Sequence, residues 1–197
     1  MKSIQFKIVL LLGSIAILFS SCTKDTDVTV TPPAKTLFSE DFNNTNLTTT
    51  GWVLNSEVGT KFWSQASYKS DGYAQFSSYG SGQPVNVSWL ISPPINMDTQ
   101  DGERIYFQSC QDGYVRNIDN SLEFYVSTDY NGSNFMSASW QKINFNVPTQ
   151  DTTRFAYLDS GIIDLSSYKG NLYLAFKVKG TSSLTGGYQL DKIRVFY

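Results

Sequence analysis

The chain has 197 residues, with 17 acidic against 15 basic side chains and no histidine. That balance offers no basic stripe to meet nucleic-acid phosphates. The missing imidazole excludes Ser-His-Asp and Cys-His machinery and histidine-rich zinc sites.

The first residues read as a leader, not as structure. Lys2 and Lys7 open it, and Ile8 to Phe19 is an apolar run too short to span a bilayer as a helix. Leu18-Phe19-Ser20-Ser21-Cys22 then places small residues before a cysteine. This resembles the lipobox of bacterial lipoproteins, apart from Phe19 where Leu is commoner. Residues 1–21 are therefore expected to be a lipoprotein signal peptide, with Cys22 lipidated and holding the chain to a membrane only through its alkyl chains. Losing Lys2 and Lys7 would make the mature chain more acidic than the −2 of the full sequence. With Cys22 acylated, Cys110 stands alone, so no disulfide framework exists and Cys110 reads as a small buried hydrophobe.

Residues 22–35 form a Thr-, Asp- and Pro-rich tether ending at Pro32-Pro33. Its Lys24-Asp25-Thr26-Asp27 resembles the export signal of Bacteroidetes lipoproteins. The expected location is the cell outer membrane, with the domain facing outwards. The folded domain is expected over residues 36–197.

Strand-like runs follow at 36–42, 52–55, 73–78, 85–92, 104–111, 121–128, 141–147, 161–165, 172–179 and 188–197. Asp71-Gly72, Ser81-Gly82, Asp101-Gly102, Asp112-Gly113, Asn131-Gly132, Lys169-Gly170 and Gly186-Gly187 divide them. Many short strands with such punctuation predict an all-β sandwich or barrel. Val87-Ser88-Trp89-Leu90-Ile91-Ser92 carries no charge and ends at Pro93-Pro94, so it predicts a central strand covered on both faces whose pairing stops at the prolines. Leu172, Leu174, Phe176 and Val178 alternate with Tyr173, Ala175, Lys177 and Lys179, which predicts one buried and one wet face.

An ordered set of stretches resembles the cleaved-adhesin, or choice-of-anchor J, domain, a relative of the MAM domain. They are Phe38-Ser39-Glu40-Asp41-Phe42-Asn43, Gly51-Trp52, Trp89 to Ile95, Leu122 to Thr128, Ile163 to Gly170, Leu174-Ala175-Phe176 and Leu190 to Val195. The resemblance implies a two-sheet antiparallel β-sandwich of jelly-roll, galactose-binding-like topology. It also implies non-catalytic binding or adhesion outside the cell, and often a structural calcium. Lys192 departs from the acid many members carry there.

Strand parity adds a site. Phe38, Glu40 and Phe42 share a face, as do Asp191, Ile193 and Val195, so each terminal strand sends one carboxylate among core residues. Jelly-roll termini lie side by side, and two acids at close range repel unless a cation sits between them. Glu40 and Asp191 are the expected Ca2+ ligands, with Asp41, Asn43, Ser78 or main-chain carbonyls completing an oxygen shell. The alternative is that Glu40 accepts bonds from Arg194 or Lys192 with no metal. A bulge could also shift parity by one and turn Asp41 inwards.

For a ligand, tyrosines in or beside loops are the feature to weigh: Tyr68, Tyr73, Tyr79, Tyr114 and Tyr130, of which Tyr79, Tyr114 and Tyr130 are the expected sugar platform. Trp52, Trp63 and Trp89 are expected in the core. Paired carboxylates for glycoside hydrolysis would be the only chemistry available, from Asp112, Asp119, Glu123 and Asp129, and most acids flank turns. The expected function is a non-catalytic surface module that binds a glycan or a surface protein. The alternative is an accessory subunit of a surface assembly with a protein partner only, and a hydrolase ranks last.

Overall fold

A computed structural model describes residues 34–43, 46–113, 120–149, 151–182 and 187–197. The leader, the tether, Cys22, Tyr114 and Asp119 lie outside the described residues. The described chain is a two-sheet antiparallel β-sandwich of jelly-roll type.

Thirteen strands are described: β1 Thr36–Glu40, β2 Val53–Val58, β3 Ser64–Tyr68, β4 Asp71–Ser77, β5 Val85–Ile91, β6 Ile95–Asn96, β7 Arg104–Gly113, β8 Ser121–Ser127, β9 Gln141–Ile143, β10 Leu158–Asp159, β11 Ile163–Asp164, β12 Asn171–Thr181 and β13 Gly187–Phe196. The first sheet runs β10-β7-β13-β4-β3, with β1 also on β13 and β11 on β7. The second runs β2-β5-β12-β8-β9, with β6 also on β12.

The core lies between the sheets. Leu172, Leu174, Phe176 and Val178 of β12 face it and are fully buried, as their alternation predicts. Phe107 of β7 crosses the gap to meet Phe124 and Phe176 at ring distances of 5.2 and 5.0 Å. Each such side chain contributes about 1.5–3 kcal/mol by leaving water. Trp52 and Trp63 are core residues as expected.

β5 is covered on both sides. Leu90 joins the main core, while Trp89 and Ile91 point the other way into a second cluster with Tyr130 and Ala175. The proline pair interrupts pairing as expected, but only briefly: β6 resumes it on the same neighbour, with Ile95 opposite Leu172. The second cluster corrects the expected wet face of β12. Ala175 is fully buried there, and Phe135, Ala138 and Trp140 from the segment after β8 pack over it. Lys177 lies 4.9 Å from the Trp89 ring centroid and pairs with Glu57 at 2.8 Å.

Two departures from regular strand geometry position the site. In β13, Asp191 pairs with Gln108 and Arg194 with Tyr106, so the strand carries one extra residue. Lys192 sits in the left-handed region at φ 51. This β-bulge reverses parity. Gln189 and Asp191 share the outer face with Cys110 and Gln108, whereas Ile193 and Val195 face the core. At the end of β1, Phe42 is also left-handed, at φ 53. There the chain packs on the β3–β4 hairpin so closely that a Cβ on Gly72 would stand 2.1 Å from the Phe42 carbonyl oxygen. Only glycine fits.

Candidate functional site

The outer face of the first sheet carries an aromatic-lined cleft. It holds about 520 Å³ and is lined by Tyr68, Asp71, Tyr73, Phe155, Tyr157 and Gln189. Three separate pieces of chain supply these side chains.

The β3–β4 hairpin provides Tyr68, Asp71 and Tyr73. Lys69 and Ser70 both have positive φ, 51 and 69, giving a two-residue turn whose twist matches the strands. Tyr68 then stands opposite Asp71, and Tyr73 points outwards because Gly72 and Ala74 point in. The Lys69 ammonium lies 5.3 Å from the Tyr68 ring centroid. β13 provides the floor. Gln189 is 8% exposed, and its Oε1 accepts from the Tyr157 hydroxyl at 3.1 Å and the Cys110 thiol at 3.3 Å. Its amide nitrogen has no partner among the described residues, so it remains a donor for a ligand hydroxyl.

The segment before β10 provides the other wall. Phe155 N–H donates to the Gln111 carbonyl at 2.8 Å, and Gln111 Nε2 donates to the Thr152 carbonyl at 2.7 Å. Arg154 Nε donates to the Asp112 carbonyl, and its guanidinium lies 4.7 Å from the Phe155 ring. Phe155 is held at φ 60 with its ring 49% exposed. A bulky residue in that region is strained, and such strain concentrates at binding sites.

Burial pushes the Tyr157 hydroxyl far above the ordinary phenol range, with the charges of Cys110 and Asp191 adding to it. It is thus a fixed neutral group. Cys110 is fully buried, and burial pushes its thiol up to about 12. That fits its reading as a small buried hydrophobe.

Asp191 follows Gln189 on the outer face of β13, opposite Gln108, and is 4% exposed. Its carboxyl is pushed up to about 6, first by burial and then by the Asp71 and Asp41 charges, against the Lys192 N–H that donates to Oδ1 at 2.7 Å. Glu40 is placed differently. It faces the core opposite Ile193, and its carboxylate accepts from Phe42 N–H at 2.8 Å and Trp52 Nε1 at 2.9 Å. Glu40 and Asp191 therefore lie on opposite sides of the first sheet, because the Lys192 bulge separates them. Neither Arg194 nor Lys192 donates to Glu40; Arg194 instead donates to the Ala34 carbonyl at 3.1 Å.

The remaining expected ligands divide. Asp41 is near enough to act on Asp191, and Asn43 Oδ1 accepts from Gly72 N–H at 2.8 Å, beside Asp71. Ser78 lies past the far end of β4 and donates to the Thr181 carbonyl at 2.7 Å. Among the described residues, no three Asp, Glu, Cys or His side chains converge on one point. A cation at Asp191 would need neutral oxygens to complete its shell. Asn43 Oδ1 and the Phe42 carbonyl, at the end of β1, already accept from Gly72 N–H and Gln65 Nε2; with carboxylate they are the oxygen type that suits a hard ion.

The expected sugar platform does not form as a unit. Tyr130 is 3% exposed in the second cluster, 5.5 Å from Trp140 and 5.0 Å from Tyr173. Tyr79 is 72% exposed after β4 and does not line the cleft. Tyr68 and Tyr73 had been visible beside loops. Phe155, Tyr157 and Gln189 were not. Two tyrosines flanking Lys69-Ser70 at hairpin spacing was the signal that could have centred attention here.

Of the acids weighed for hydrolysis, Asp119 lies outside the described residues and the other three are engaged separately. Asp112 is raised by burial and bonded to the Gly187 main chain. Glu123 is on the second sheet, where Lys142 and the Tyr125 hydroxyl outweigh burial and hold it low. Asp129 accepts from Ser127 Oγ and Ser139 N–H.

A scan against protein-family models and a search of curated proteins find no match. Solved structures do match. Three cleaved adhesin domains of Lys-gingipain from Porphyromonas gingivalis superpose with TM-scores of 0.54, 0.52 and 0.53 at 18%, 20% and 16% identity. The matches cover 83%, 80% and 81% of this chain and 100%, 96% and 98% of those domains. At that identity the likeness establishes a shared fold.

Proposed function

We propose that the chain is a non-catalytic binding module that holds a carbohydrate in the Tyr68–Tyr157 cleft. The observation that carries this reading is the cleft's composition: four aromatic rings around a buried amide whose nitrogen has no partner among the described residues. Sugars present CH-rich faces that pack on aromatic rings, and amides and carboxylates fix their hydroxyls. Gln189 and Asp71 are such groups. The fold shared with domains named as adhesins supports the reading.

The module would act outside the cell, carried on a membrane by lipidated Cys22. A structural cation such as Ca2+ would be held at Asp191 with Asp41 or Asp71, completed by neutral oxygens. Bound there, it would neutralise clustered carboxylates and tie the end of β1 to β13 and the β3–β4 hairpin. Glu40 would support that region by fixing Trp52 and Phe42.

Glycan-array binding by the soluble domain tests the reading. Tyr157→Ala and Gln189→Ala should abolish binding, while Tyr79→Ala, outside the cleft, should leave it intact. Unchanged binding by the cleft variants would sink it, and binding of a protein partner alone would favour the accessory-subunit alternative.

A further inference from the structure

One buried carboxylate belongs neither to the aromatic cleft nor to the acids around Asp191. Glu103 directly precedes β7 and is fully buried. Its main-chain carbonyl accepts from Leu165 N–H at 2.8 Å, and its Oε1 from Gln100 Nε2 at 3.1 Å. Its Oε2, buried as well, has no partner among the described residues. A buried carboxylate charge is costly unless an opposite charge meets it. The base at hand does not. Lys169 Nζ pairs with the exposed Asp101 at 3.0 Å and comes within 4.0 Å of no other acid among the described residues.

The turn leading to Glu103 is rich in oxygen. Residues 96–103 read Asn-Met-Asp-Thr-Gln-Asp-Gly-Glu and cross from β6 of the second sheet to β7 of the first. Gln100 Nε2 also donates to the Asn96 carbonyl at 3.0 Å, so the amide stands between that carbonyl and Glu103. A half-turn of the amide exchanges its nitrogen and oxygen. The Thr99 hydroxyl, which donates to Gln100 Oε1, can then accept instead. A carboxylate, a side-chain amide oxygen and a main-chain carbonyl thus stand together at one turn.

Charge sets the valence. Asp101, Glu103 and Asp98 all act on Lys169, the Asp101 bond foremost, and hold its ammonium above the ordinary lysine range. Three carboxylates against one ammonium leave two negative charges. Arg104 does not offset them: its guanidinium lies 5.9 Å from the Phe196 ring centroid and acts on Asp164.

We propose that Glu103 anchors a divalent cation site at this turn, filled by Ca2+, with the Gln100 amide oxygen and the Asn96 carbonyl as neutral ligands and Asp98 and Asp101 supplying charge. Oxygen ligands alone select a hard ion, and a site with one inner carboxylate belongs to the weak class of extracellular modules, with Kd of roughly 10⁻⁴–10⁻³ M. It is separate from the cation proposed at Asp191. Asp191 pairs with Gln108, five residues further along the chain from Glu103 and roughly 17 Å away. The bound ion would pin two crossings between the sheets at this end of the sandwich. Asp98 Oδ1 accepts from Gly170 N–H at 2.7 Å, and Met97 N–H donates to the Gly170 carbonyl at 2.9 Å, so the turn already holds the chain that enters β12.

Calorimetric titration of the Asp191→Asn protein with Ca2+ tests the site, because that background removes the other one. One ion should bind with Kd of about 0.1–1 mM. The amide signals of Asp98, Leu165 and Gly170 should shift with it in NMR spectra. Adding Glu103→Gln, which keeps the acceptor for Gln100, should abolish both effects. Gln100→Leu in its place should weaken binding about tenfold. Sodium at matched ionic strength should leave these signals where they are, as a screening effect of salt would not. No binding up to about 10 mM Ca2+, well above that affinity class, would overturn the site and leave Glu103 met by water or by Lys169. Binding that survives Glu103→Gln would overturn it equally.

Discussion

Replacing Asp191 with Asn probes the least comfortable group in the fold. Asn keeps the shape and the oxygen that accepts from Lys192 N–H. It removes a charge buried beside two other acids. The carboxyl moves from an ordinary value of 3.8 to about 6 in the native state. That is roughly two pH units, or about 3 kcal/mol at 1.36 kcal/mol each. The sign follows from proton counts. Between 3.8 and about 6 the native state keeps a proton that the unfolded chain has released. Stability is therefore greatest below the unfolded value, falls as pH rises through this window, and is level above it. In chelator, Asp191→Asn should melt higher than wild type above pH 6, by roughly 6–12 °C if each kcal/mol moves a domain of this size about 2–4 °C. Below pH 4 the two proteins should converge. Added Ca2+ should nearly close the gap: the wild type gains about 2.7 kcal/mol at a hundredfold excess over Kd, and the variant gains nothing at that concentration. Parallel pH profiles for the two proteins in chelator would refute the reasoning. Equal gains from Ca2+ would remove the cation from Asp191.

Other outcomes follow from single contacts. Gly72→Ala should cost at least about 2 kcal/mol in denaturant unfolding, because its Cβ would press on the Phe42 carbonyl and the β1 end would have to move. Glu40→Ala should cost roughly 3 kcal/mol or more, since it leaves Trp52 Nε1 and Phe42 N–H buried without an acceptor. Phe155→Gly should raise the melting point slightly, by relief of about 1 kcal/mol of backbone strain, while weakening sugar binding. Cys110 should resist alkylation at pH 8 in the native protein and react fully once unfolded, because burial holds its thiol near 12.

The parts of this fold legible in the sequence are those written in one stretch of chain. β12 and β5 show this: alternation and an uncharged run identify core faces wherever the neighbours are regular. What was not legible depends on contacts between distant stretches. Tyr130 looks like a loop tyrosine until Trp140 and Tyr173 arrive from elsewhere to bury it. Trp89 shows the reverse, since its outward face would be wet without Phe135 and Trp140. Phe155 and Tyr157 sit in a segment with no strand period, and only the bonds to Gln111 and Asp112 set them opposite Tyr68 and Tyr73. The parity that places Glu40 in the core holds, because β1 is regular from Phe38 onwards. The same rule fails at Asp191, because the extra residue is a lysine and nothing in its type announces a bulge.

That one extra residue shapes the whole outer face. Without it, Gln189 and Asp191 would both follow Ile193 and Val195 inwards, and Tyr188 and Leu190 would lose the core. With it, Tyr188, Leu190, Ile193 and Val195 all reach the core, while Gln189, Asp191 and Arg194 keep the outer face. A left-handed lysine costs about 1–2 kcal/mol. Burial of Asp191 adds its own cost at neutral pH. The left-handed Lys192 and the buried Asp191, on the face that also carries the strained Phe155, are the physical reason to place the proposed binding site there, rather than on the second sheet, whose outer aromatics are already packed against one another.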